Sequence, residues 1–161
     1  MSHESHEMDF FASLYRFAWI LLLREDMARK VVLDALGEVH IRTNHSHEET
    51  ERTQARLYQV VRQRALKVSV EPFTPVVSNS SGWPDAVGPH LSGIDPGAVA
   101  LALHRAEEPG RSALALVLLN AVEVESMEKI LGLSIAQLAA ATDRARAAVA
   151  LALNLTPESK Q

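Results

Sequence analysis

Apolar residues recur every three or four positions in two blocks of the chain, and that spacing predicts helices in both. In the first block Phe10, Phe11, Leu14, Phe17, Ala18, Leu21 and Leu22 mark one helical face. After Arg24-Glu25-Asp26, Met27, Val31, Ala35 and Val39 mark another, so the pair reads as two antiparallel helices. A polar stretch over 37–49 precedes a third helix, where Thr53, Leu57, Val60, Val61 and Ala65 form the packed stripe. On that helix Arg52, Arg56, Arg62, Arg64 and Lys67 stay solvated, making it the most basic surface of the chain.

From Val68 to Gly97 the pattern stops. Five prolines (Pro72, Pro75, Pro84, Pro89, Pro96) and the tract "SNSSG" cannot sustain a helix or a central strand. The second block begins near Ala98, breaks at Pro109-Gly110, and resumes through "RSALALVLLNAV", "ESMEKIL" and the turn "GLS" into a final helix. There Ile135, Leu138, Ala141 or Thr142, Ala145, Val149, Ala152 and Leu153 keep one apolar stripe, with Ser134 placed to cap. The expected architecture is all-α: a helical domain over 1–67, a Pro/Gly/Ser-rich linker over 68–97, and a helix-turn-helix-like domain over 98–161.

An apolar fraction of 47% over 161 residues is enough to build a core. The chain has no cysteine, which excludes disulfides and thiolate chemistry; with no cleavable signal visible, a reducing cytoplasm is the expected location. The apolar run at 10–23 is short, interrupted by Arg16 and preceded by acids, so it predicts a buried helix and no membrane span. A formal net charge of −4 argues against tight nucleic-acid binding, which draws its affinity from neutralised phosphates.

Taken in order, "LYRFAWILLLREDMARKVVLDAL", "ARLYQVVRQRALK" and "EKILGLSIAQLAAATDRARAAVALAL" resemble the two-domain extracytoplasmic-function (ECF) sigma factors of bacterial RNA polymerase. The resemblance covers nearly the whole chain, and the Pro/Gly-rich linker falls where that family has one. It implies a first domain that grips the polymerase clamp and melts the promoter, and a helix-turn-helix that reads the upstream promoter element.

Departures from the family pattern fall on functional positions. On the second helix Asp26 is kept, but Arg29, Val32 and Leu33 stand where acid, amide and acid are usual, so these four are the candidate protein-binding residues. On the third, Leu57, Tyr58, Arg62 and Ala65 match the promoter-facing helix, with Gln63 for the customary Asn. Glu128 falls where a small residue usually lets two helices cross, which predicts a buried carboxylate and an altered crossing. In the last helix Gln137-Leu138-Ala139-Ala140-Ala141-Thr142 replaces Thr-Val-Lys-Ser-Arg-Leu and removes both cations. Arg144 and Arg146 remain, but they point about 200° apart around a helix. Lys129, Arg144 and Arg146 also face Glu123, Glu125, Glu128 and Asp143, the wrong balance for a duplex-binding module.

The expected function is therefore that of a degenerate sigma-like transcription regulator acting by protein contact, with an anti-sigma factor or core RNA polymerase as partner and promoter DNA bound weakly. An active ECF sigma factor is the alternative reading, and a structural homodimer built on exposed Val32 and Leu33 is the third. Retained DNA binding would use Arg56, Tyr58, Arg62, Arg64 and Lys67, with Tyr58 stacking on a base, and Gln137, Arg144 and Arg146 on the last helix. His40, His45 and His47 with Glu48 and Glu49 offer ligand chemistry, but their spacing reads as a solvated loop, so no metal or other cofactor is expected. Trp83 reads as a linker aromatic covering apolar area. No nucleophile elbow and no Gly-rich phosphate loop are present, so no enzyme is expected.

Overall fold

The computed structural model describes residues 2–39, 46–68 and 102–153. Every element among them is helical: α1 (Ser2–Leu22), α2 (Glu25–Glu38), α3 (His47–Val68), a helical turn at 102–105, α4 (Gly110–Leu118), α5 (Val124–Leu131) and α6 (Ile135–Ala152). The fold is all-α, as the spacing predicts. Trp83, His40, His45 and the His47 side chain lie outside the described residues, so the metal-loop and linker expectations are not addressed by them.

Leu23 turns the chain between α1 and α2. Its φ of 53° is left-handed, a conformation that costs a branched side chain about 1–2 kcal/mol. Its N–H closes on the Trp19 carbonyl at 2.7 Å, and its side chain is fully buried. Burying a leucine stabilises by roughly 1.5–3 kcal/mol, which offsets the strain. Arg24 follows in an extended conformation, and Glu25 and Asp26 then set carboxylates against the positive end of α2.

α1 is the central helix. It packs against α2, α3 and α4, and every side chain from Phe17 to Leu23 is buried. A helix enclosed on all sides is apolar on all sides, which is why its stripe outgrows the three-and-four spacing. Buried residues of α1–α3 and of the segment from Leu103 to Ala145 form one continuous cluster, with Leu103, Ala115 and Leu116 as enclosed as Leu14 and Phe17. α3 also packs against α5. The sequence left open whether the two helical blocks pack together, and the structure answers it: the described parts of both share one core.

Three expectations about burial are corrected. Val32 is buried, because α2 turns a wide face of Ala28, Val31, Val32 and Ala35 towards α1 and α3; Leu33 alone stays outside, 62% exposed. Ile135 is 56% exposed and Ala152 is exposed as well, so the buried stripe of α6 runs from Leu138 to Ala145. Glu128 is only half-buried. A tight contact lies between α4 and α6 at Gly110, where a Cβ would come within 2.6 Å of the Ala141 carbonyl oxygen and 3.0 Å of the Ala145 Cβ.

The three-residue connection from α5 to α6 is closed from both sides. Gly132 takes the left-handed φ of 66° and donates its N–H to the Glu128 carbonyl at 2.8 Å. Ser134 and Gln137 then cap α6 reciprocally: the Gln137 N–H donates to Ser134 Oγ at 3.3 Å, and the Ser134 N–H donates to Gln137 Oε1 at 3.0 Å.

Candidate functional site

α3 keeps its packed stripe where the spacing puts it, with Leu57, Val60, Val61 and Ala65 buried, and it carries the expected cations on other faces. Those cations are largely occupied. Arg52 pairs with Glu48 one turn back at 2.6 Å, and the Arg56 Nη1 donates to Gln59 Oε1 at 2.9 Å. Arg64 reaches across to α2, donating to Glu38 at 2.7 Å with Asp34 at 3.9 Å. Lys67 is exposed and forms no ion pair among the described residues.

Arg62 departs furthest from the solvated position expected of it. Its side chain is 17% exposed, its Nε donates to Ser112 Oγ at 3.1 Å, and its Nη2 donates to Glu108 Oε2 at 3.2 Å. The Ser112 hydroxyl lies 2.8 and 2.9 Å from the two Glu108 oxygens and donates to that carboxylate. Arg111 completes the cluster, with Nε on Glu108 Oε1 at 2.9 Å and Nη1 on the His104 carbonyl at 3.0 Å. One carboxylate thus holds two guanidiniums and a hydroxyl at the seam between α3 and the start of α4. Beside it, burial holds the His104 pKa below its usual value; the Arg111 charge adds to that, and a hydrogen bond to the Leu21 backbone opposes it.

Tyr58 offers no stacking surface, which corrects the expectation that a base could lie on it. It is fully buried, with its ring edge-on to Phe10 at 5.7 Å and Phe17 at 5.4 Å, and its hydroxyl donates to Ser13 at 3.0 Å. Burial pushes its pKa up to about 12, against the opposing pull of the Ser13 hydrogen bond. The signal for this was present in the sequence: Tyr58, Val61 and Ala65 follow the same three-and-four spacing as the rest of the core.

The α2 candidates divide. Asp26 is exposed and pairs with Arg24 at 2.9 Å; desolvation raises its pKa, but the Arg24 hydrogen bond and charge together with backbone N–H groups outweigh it and leave the carboxyl below its usual value. Arg29 is exposed and pairs with Glu25 at 3.2 Å. Val32 belongs to the core and Leu33 to the surface. On α6, Ala136, Ala139, Ala140 and Arg144 are exposed, Gln137 is engaged in its own cap, and Arg146 sits 4.0 Å from Asp143.

Sequence reasoning passed over Glu108, Arg111, Ser112 and the α2 acids Asp34 and Glu38. Compared with models of known protein families, with curated proteins and with solved structures, the chain matches none. Among the described residues no group of His, Asp or Glu is arranged to hold a metal ion, and no helix is long and apolar enough to cross a membrane.

Proposed function

We propose that this chain is a degenerate relative of the ECF sigma factors, a cytoplasmic regulator that acts by contact with an anti-sigma factor or RNA polymerase and not by reading promoter DNA. In this reading 1–67 and 98–161 are the two sigma-like parts and 68–97 is their linker. The capped turn at Gly132–Ser134 supports taking α5 and α6 as a helix-turn-helix derivative. The observation that carries the proposal is the absence of cations from the first two turns of α6. They expose Ile135, Ala136, Gln137, Ala139 and Ala140, whereas a recognition helix needs positive side chains there for phosphates and base edges. The pairing of Arg62 and Arg64 with carboxylates supports the same reading from the other half. The homodimer built on Val32 and Leu33 loses half of its patch to the core.

The test uses the full chain. With core polymerase and promoter fragments from its own host it should give no sequence-selective footprint at low salt, while cross-linking in the native cell followed by mass spectrometry should identify an anti-sigma factor or a polymerase subunit. A tight, salt-sensitive footprint would overturn the proposal.

A further inference from the structure

We draw no further inference here: the strongest candidate, the outward face of α6, where Ile135 and Leu151 stand 56% and 69% exposed near the two ends of a row of exposed alanines, is an unpartnered stripe of mostly small residues, and nothing in the structure shows what covers it.

Discussion

α3 and α6 are both long helices that show arginine to solvent in the sequence, and they lose their appeal to a polyanion by different routes. On α6 the loss is written into the chain: alanines stand on the exposed first turns, and its two arginines, Arg144 and Arg146, come only later. On α3 the cations are present, but Glu48, Glu38 and Glu108 take up Arg52, Arg64 and Arg62. One helix lacks cations on its first turns and the other has three of its arginines paired with carboxylates. Charge counted along a sequence is therefore not charge offered at a surface, and the two cases separate only when partners distant in sequence are known.

The comparison breaks hardest at Glu108. Glu108→Ala leaves the mostly buried Arg62 and Arg111 without their carboxylate and should lower stability by about 3 kcal/mol, read as a shift in the urea unfolding midpoint. A loss under about 1 kcal/mol would mean that solvent screens the cluster and that Arg62 is as available as Arg56. Next in size is Gly110→Val, which pushes a side chain against the Ala141 carbonyl; about 1–3 kcal/mol should be lost, with hydrogen exchange rising in both α4 and α6 while α3 stays protected. Ser134→Ala removes one side of the α6 cap and should cost about 1 kcal/mol, with faster exchange at the Gln137 amide.

The smallest effect is one of pH. Because the folded protein holds His104 below its usual pKa, the unfolded chain takes up a proton first as pH falls. Stability should decline as pH falls from neutrality through the usual histidine range, and the decline should shrink in His104→Gln. An identical slope in both proteins would remove His104 from the seam's energetics.

The helices, the caps at Gly132 and Ser134 and most of the α3 stripe were legible in the sequence, because each depends on residues within one or two turns. Val32 was misread for a local reason: α2 is covered from two directions, and a stripe counted at single-face width omits one side. Tyr58 was drawn to the surface by the resemblance even though its own spacing pointed inward. The partner of Arg62 could not be read at all. Glu108 lies far along the chain, beyond the Pro-rich stretch, and nothing in the local pattern of either residue points to the other.

The shared core has a practical consequence for dissection. Leu103, Leu116, Met127 and Ile130 share a core with the first three helices, so residues 2–68 and 102–153 have apolar surfaces that hold them together apart from the backbone. Two polypeptides made separately, one carrying residues 1–68 and the other residues 102–161, should find each other on mixing, whereas either made alone exposes an apolar flank that the other covers.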